Sequence, residues 1–222
     1  MPKIAFVFPG QGSQYVGMGK DLAATYAAAA RVFEMGDKIC GFPLSKLCFE
    51  GPQEQLDQTT YSQPAIMVTS LACLAAAQQN GLSADIVAGL SLGEYTALTV
   101  AGAMTLEQAL PLVMARARLM QEAVPVGAGA MAAVVGLPAD RVEGICSQVE
   151  GTVVVANYNT PNQLVISGEM AAVQEAVEVL KKAGAKVVIL PISVPSHSPL
   201  LKESAHKFAK EVARIEFRAT SM

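Results

Sequence analysis

Histidine is nearly absent from this chain: His197 and His206 are the two among 222 residues, so any chemistry that needs an imidazole base has two candidates. Cysteine is scarce as well. Cys40, Cys48, Cys73 and Cys146 are irregularly spaced with no Cys-x-x-Cys pair, which excludes a zinc site or disulfide frame and reads as reduced core thiols of a cytoplasmic protein. No run of lysine or arginine exceeds a pair, and the formal charge is −3 with a pI near 5.4. Neither nucleic acid nor an anionic membrane is therefore expected as a partner. Long apolar runs are missing too. Residues 58–84 carry no charge, but their apolar part, Ala65 to Ala77, is too short to span a bilayer and ends in Gln78-Gln79-Asn80-Gly81; it reads as a buried core helix. Met1-Pro2-Lys3 leads straight into a strand without the pattern of a signal peptide.

What is present is apolar: 52% of residues are hydrophobic and 16% charged, enough to bury one large core, or one core plus a small satellite domain. The most informative stretch is Val87-Ala88-Gly89-Leu90-Ser91-Leu92-Gly93-Glu94-Tyr95. Here a serine stands between two glycines where a strand-like run turns into a helix. A serine hydroxyl attacks a carbonyl well when it projects from such a sharp turn, because the backbone N–H groups that follow can hold the developing oxyanion. Gly89 and Gly93 leave room for the close approach this requires. An inert serine in an ordinary turn fits the five-residue pattern about as well, so the motif alone leaves catalysis open.

Strand and helix alternate along the chain. Lys3 to Phe8 reads as a strand, Pro9 to Gln14 as a glycine-rich turn, and Met18 to Met35 as a helix. The turn is not a dinucleotide fingerprint, since Tyr15 occupies the place of the third glycine; it suits instead a backbone donor near Gln11. Ser62 is expected to cap a helix that stops at Gly81. Asp85 to Gly89 then reads as a buried strand, and Thr105 with Gln108 as a capping box for a helix reaching Ala123. Beyond Pro125 the pattern becomes βαββαβ: strands at 130–136, 152–156, 163–167 and 186–192, and helices at 138–149 and 170–183, with 157–162 as a connecting loop. The expectation is an α/β fold with a hydrolase-like parallel-sheet core domain over 1–125 and 195–222, into which a ferredoxin-like βαββαβ subdomain, 126–194, is inserted.

His206 lies mid-helix in a polar stretch and reads as solvated. His197, in Pro195-Ser196-His197-Ser198-Pro199, sits where a helix begins, and the dipole there favours the neutral imidazole that a base acting on Ser91 requires.

Five ordered motifs, Pro9-Gly10-Gln11-Gly12-Ser13-Gln14, Gly89-Leu90-Ser91-Leu92-Gly93-Glu94-Tyr95, Arg116 in Arg116-Ala117-Arg118-Leu119-Met120-Gln121, Asn157-x-Asn159-x-Pro161-x-Gln163 and Pro195-Ser196-His197-Ser198, resemble those of the malonyl-CoA:acyl carrier protein transacylase family. The resemblance implies ping-pong transfer in fatty acid synthesis. Ser91, activated by His197, takes malonyl from coenzyme A as an ester and passes it to the phosphopantetheine thiol of acyl carrier protein. It implies an oxyanion hole from the N–H groups of Gln11 and Leu92, and Arg116 on the free malonyl carboxylate. Asn157 and Asn159 become cleft-facing polar residues, although both equally suit a turn. The only partners implied are malonyl-CoA and the carrier protein. No cofactor or metal is implied, since coenzyme A enters as substrate and phosphopantetheine belongs to the carrier. A planar guanidinium offers a bidentate grip on a carboxylate that acetyl lacks, which supports the role of Arg116, whereas Arg118 reads as a solvated neighbour. Lys181, Lys182, Lys186 and Lys202 are candidates for docking an acidic carrier protein.

The sequence departs from the family in having Leu90 where histidine is frequent. The family's histidine-orienting group also lies beyond Met222, so the chain, ending on a strand-like Ile215-Glu216-Phe217-Arg218, reads as a fragment. Two other readings stand beside the transferase. One is a serine esterase or lipase of α/β-hydrolase type using Asp140 as its acid; the other is a catalytically incomplete fragment that only binds coenzyme A or the carrier.

Overall fold

The computed structural model describes residues 3–125, 127–190, 192 and 194–220. It divides into two compact units, Met1–Arg118 with Ala209–Met222, and Leu119–Phe208.

In the first unit, β1 (Ala5–Phe8) is followed by α1 (Lys20–Thr25), α2 (Ala27–Cys40), α3 (Leu44–Glu50), α4 (Gln53–Leu56) and α5 (Thr59–Gln79), then by β2 (Ile86–Gly89), α6 (Gly93–Val100) and the start of α7 (Leu106–Glu122). β1 and β2 pair in parallel from Ala5 opposite Ile86 to Phe8 opposite Gly89. Asp85 ties the start of β2 to β1, accepting the Ile4 N–H at 2.8 Å through Oδ2. The uncharged run does form the core helix. Ala65, Met67 and Val68 on successive faces of α5 are fully buried, which is what a helix without a polar face must do. α2 reaches it closely, since a methyl on Gly36 would lie 2.9 Å from Val68.

Several expectations fail here for local reasons. The helix expected over 18–35 is two helices, broken at an extended Tyr26 (φ −118°, ψ 112°); the alanine-rich sequence around it favours helix on both sides and conceals the break. Ser62 is not a cap. Gln58 takes that place without a side-chain bond, and Ser62 lies buried inside α5. β2 is not a buried strand, for Ile86 is 50% exposed, and Val7 of β1, opposite Ala88, is 74% exposed; among the described residues its sheet has two strands. Ile215 to Arg218 forms no strand, the Arg218 N–H bonding the Ala103 carbonyl at 2.9 Å. The capping interaction at α7 is present: the Thr105 N–H donates to Gln108 Oε1 at 3.0 Å.

The second unit contains β3 (Gly129–Val135), α8 (Ala139–Cys146), β4 (Val153–Thr160), β5 (Gln163–Glu169), α9 (Met170–Lys182) and β6 (Lys186–Ile189). The strands form one antiparallel sheet in the order β4-β5-β3-β6. Its core is built from Val134, Leu164 and Ile166 of the sheet with Val142 of α8 and Val173, Val177 and Leu180 of α9. The α9 residues recur at the helical period, so one face of that helix is apolar. Each fully buried leucine here contributes about 2 kcal/mol of transfer free energy. Gly168 is required for the β4–β5 approach, since a methyl there would lie 1.9 Å from the Thr152 carbonyl oxygen. A 3₁₀ turn, Pro199–Leu201, with Pro199 at its first position, runs directly into α10 (Lys202–Val212).

Candidate active site

β2 ends at Gly89 and α6 begins at Gly93, leaving three residues to reverse the chain. Ser91 takes up the reversal in a left-handed conformation, φ 53°, which costs a residue with a Cβ about 1–2 kcal/mol. The surroundings hold it there. The Leu90 N–H donates to the Phe8 carbonyl at 3.1 Å and the Gly93 N–H to the Leu90 carbonyl at 2.9 Å. Both flanking glycines are sterically required: a methyl on Gly89 would lie 2.0 Å from Gly93 backbone atoms, and one on Gly93 2.1 Å from the Phe8 oxygen. This is the strained strand-to-helix elbow that presents a serine hydroxyl.

The loop after β1 runs against the elbow, with Gly10 at the contact: a methyl on it would lie 2.9 Å from the Leu90 carbonyl oxygen. Within that loop the Gln11 side-chain amide donates to Thr59 Oγ1 at 2.9 Å, Ser13 Oγ to the Gly10 carbonyl at 2.9 Å, and Gln14 Nε2 to Asp57 Oδ1 at 2.8 Å. Side chains thus fix the loop, and the Gly12 N–H is itself taken by Gln14 Oε1 at 2.9 Å. Among the described residues, the backbone hydrogen bonds of these two loops use neither the Gln11 N–H nor the Leu92 N–H. Donors held in place without a protein acceptor are what an oxyanion hole consists of.

Arg116, on α7, reaches the elbow. Its Nη2 donates to Ser91 Oγ at 3.0 Å and its Nη1 to Gln63 Oε1 at 2.6 Å. The guanidinium carbon lies 5.6 Å from the centre of the Tyr95 ring, a cation–π distance. Burial lowers the Arg116 pKa, opposed by Tyr95 and, least, by Glu94. Burial likewise raises the Tyr95 hydroxyl, with Arg116 acting against it. No ion pair to Arg116 forms among the described residues. A cation that remains charged beside neutral groups is an anion-binding element.

Gln63 was not anticipated from sequence, since it is one of several uncharged polar residues of α5 and nothing local sets it apart. It is fully buried. An apolar groove of about 560 Å³ lies beside β1, lined among others by Phe6, Val7, Leu22, Cys73 and Leu74, and includes neither Ser91 nor Arg116. Cys73 is exposed, unlike the buried Cys40, Cys48 and Cys146, so one of the four thiols expected in the core lies at the surface; all four are free.

The second unit holds the other candidates. His197 also adopts a left-handed conformation, φ 60°, and its side chain is exposed while Ser196 and Ser198 on either side are buried. Ser198 Oγ donates to the Pro195 carbonyl at 2.8 Å, bracing the bend that projects the imidazole just ahead of the 3₁₀ turn. Asn157 and Asn159 lie on β4 and not in a loop. The strand continues to Thr160 and leaves Pro161-Asn162 as the turn, because pairing with β5 outweighs the low strand preference of asparagine. Register shifts between Val155 and Asn157 and between Tyr158 and Thr160 make this possible, the second placing Asn159 at a bulge. His206 is well exposed, 3.9 Å from Glu203. Asp140 occupies the first turn of α8, where a carboxylate complements the helix dipole. The structure therefore groups Gln11, Ser91, Leu92 and Arg116 in one unit, and Asn157, Asn159 and His197 in the other.

Among the described residues, no three His, Cys, Asp or Glu side chains are arranged to hold a metal ion, and no helix is long and apolar enough to cross a membrane. Residues 5–222 match the family described as "Acyl transferase domain". A malonyl CoA-acyl carrier protein transacylase of Bacillus subtilis is 47% identical over 216 residues, which cover 96% of this chain and 68% of that protein. The solved structure of the malonyl CoA-acyl carrier protein transacylase of Coxiella burnetii superposes with a TM-score of 0.96 at 41% identity, covering 99% of this chain and 71% of that one. A malonyl-transacylase solved in complex with a type II PKS acyl-carrier protein gives a TM-score of 0.96 at 41% identity, covering 100% of this chain and 73% of its own.

Proposed function

The chain belongs to the malonyl-CoA:acyl carrier protein transacylase family of acyl transferase domains, and from that membership we propose that it moves malonyl from malonyl-CoA to the phosphopantetheine thiol of acyl carrier protein, supplying fatty acid synthesis in the cytoplasm. One observation carries the reading beyond membership: an Arg116 guanidinium with neutral partners donates directly to the hydroxyl of a serine on a strained elbow. A cation at the nucleophile suits an acyl group that ends in a carboxylate. It would serve no purpose in the apolar acyl pocket of an esterase or lipase.

In this reading Ser91 Oγ attacks the thioester carbonyl as its proton passes to His197, and the oxyanion is held by the N–H groups of Gln11 and Leu92. Collapse of the tetrahedral intermediate expels coenzyme A as a thiolate, which takes the proton from the imidazolium. The half-reaction leaves malonyl on Ser91 with its free carboxylate on Arg116. The carrier's thiol then gives its proton to His197 and attacks the ester, and Ser91 leaves with that proton restored. The exposed His197, on a left-handed bend just ahead of the 3₁₀ turn, supports the role of base. We assign Asn157 and Asn159 as polar contacts of the substrate. We also assign residues 126–194 as an inserted ferredoxin-like subdomain, and 1–125 with 195–222 as a hydrolase-like core. The antiparallel order β4-β5-β3-β6 with α8 and α9 supports the first assignment, and the parallel β1–β2 pair with its elbow supports the second.

Incubation with malonyl-CoA followed by intact-mass analysis tests the proposal. A malonyl adduct on Ser91, absent from Ser91→Ala and discharged by holo acyl carrier protein, is the expected result. An adduct lost to water at the same rate with or without carrier would refute transfer.

A further inference from the structure

We infer that Gln63 is a positioning residue that sets acyl specificity: its side-chain carbonyl orients Arg116 while leaving the arginine's charge unspent, so that the site selects an acyl group bearing its own carboxylate. The inference rests on the assignment of Arg116 to the malonyl carboxylate and deepens it.

Gln63 lies in the second turn of α5 and is fully buried. A buried amide must be hydrogen-bonded, and its Oε1 accepts from Arg116 Nη1 at 2.6 Å. The other terminal nitrogen of the same guanidinium points to Ser91 Oγ. One arm of the fork is therefore fixed by α5 and the other aimed at the nucleophile, with Tyr95 against the guanidinium. An unanchored arginine must lose the entropy of a long flexible side chain when it grips an anion; the Gln63 contact removes much of that loss in advance.

The identity of the anchor matters as much as its place. A glutamate fits the same volume and would accept the same hydrogen bond more strongly. It would also neutralise Arg116, and the incoming carboxylate would then meet a closed ion pair with a second negative charge beside it. The neutral amide is thus the group that fixes geometry without consuming charge.

Gln63→Glu tests this because it preserves shape and hydrogen bond while cancelling charge. We expect its KM for malonyl-CoA in Ser91 loading to rise roughly ten-fold or more, with kcat and acetyl-CoA loading unchanged or improved, and with a melting temperature no lower than the parent's. Gln63→Met, which fills the space without an acceptor of comparable strength, should weaken malonyl loading and spare acetyl, and decides the matter if the glutamate variant does not fold. Calorimetric titration of malonyl-CoA and acetyl-CoA into a Ser91→Ala background should show the same shift in preference without turnover. Equal losses for both thioesters, or an unchanged malonyl KM in either folded variant, would overturn the inference. Arg116→Ala separates the two levels. If it removes malonyl preference while the Gln63 variants keep it, the role of Gln63 fails and that of Arg116 stands. If the parent binds the two thioesters alike, the assignment of Arg116 fails and the inference with it.

Discussion

Replacing Gly93 with alanine probes the elbow most directly. The added methyl would lie 2.1 Å from the Phe8 carbonyl oxygen, 2.7 Å from its carbon and 2.9 Å from the Pro9 oxygen. All three are backbone atoms, so no side chain can swing aside. Relief requires α6 and the end of β1 to part by roughly 1 Å, in an interior packed as densely as a crystal. Overpacking of this kind costs about 1–3 kcal/mol, and the Leu90 N–H bond to Phe8, 3.1 Å long, would add about 1 kcal/mol if broken. A loss near 3 kcal/mol lowers the melting temperature of a chain this size by about 6–12 °C. Gly144, inside α8 with nothing within 4 Å of an added methyl, is the matched control; alanine there should stabilise by about 0.5–1 kcal/mol. Scanning calorimetry of both variants beside the parent is the assay. A Gly93→Ala melt within a degree or two of the parent, or a Gly144→Ala loss of similar size, would refute the argument from close approach.

Arg116→Ala removes two charge-assisted hydrogen bonds to the proposed carboxylate and should cut kcat/KM for malonyl loading by roughly a hundred-fold, about 3 kcal/mol, while acetyl loading is spared or raised; parallel loading assays with the two thioesters check it. Alkaline pH should destabilise the fold. Burial pushes Cys48 up to about 12, and Cys40 and Cys146 up to about 11, from an ordinary 9.0, so above pH 9 the unfolded chain releases protons that the folded chain retains. The stability these thiols contribute is complete below that pH and declines by up to about 1.4 kcal/mol per pH unit for each thiol as pH rises toward the folded values. Denaturant titrations from pH 8 to 11 should show the decline, and Cys48→Ala should make it shallower.

The elbow was legible because every element of it is local: a short apolar strand, two glycines around a serine and a helix start occupy nine consecutive residues. The βαββαβ order was legible for the same reason, as each strand and helix carries its own periodicity and its own stop signal. Gln63 was not, since 53 positions separate it from Arg116 and only the packing of α5 brings them together. Asn157 and Asn159 were misplaced because turn-forming residues in an edge hairpin are overruled by pairing with the neighbouring strand, a non-local effect. The split at Tyr26 and the exposure of β2 belong with these. The first hides in alanines that suit either side of the break, and the second depends on which strands lie next to β2, which its own four residues do not state.

Ser91 and His197 are the two non-glycine residues among those described that hold left-handed backbone conformations. At both positions glycine would relax the chain, so the proposed chemistry and the folding free energy pull in opposite directions. A library of this protein screened for heat resistance alone should drift toward glycine at 91 and 197. Such a screen would return its hardiest members with the nucleophile and the base already discarded, unless turnover is scored alongside survival.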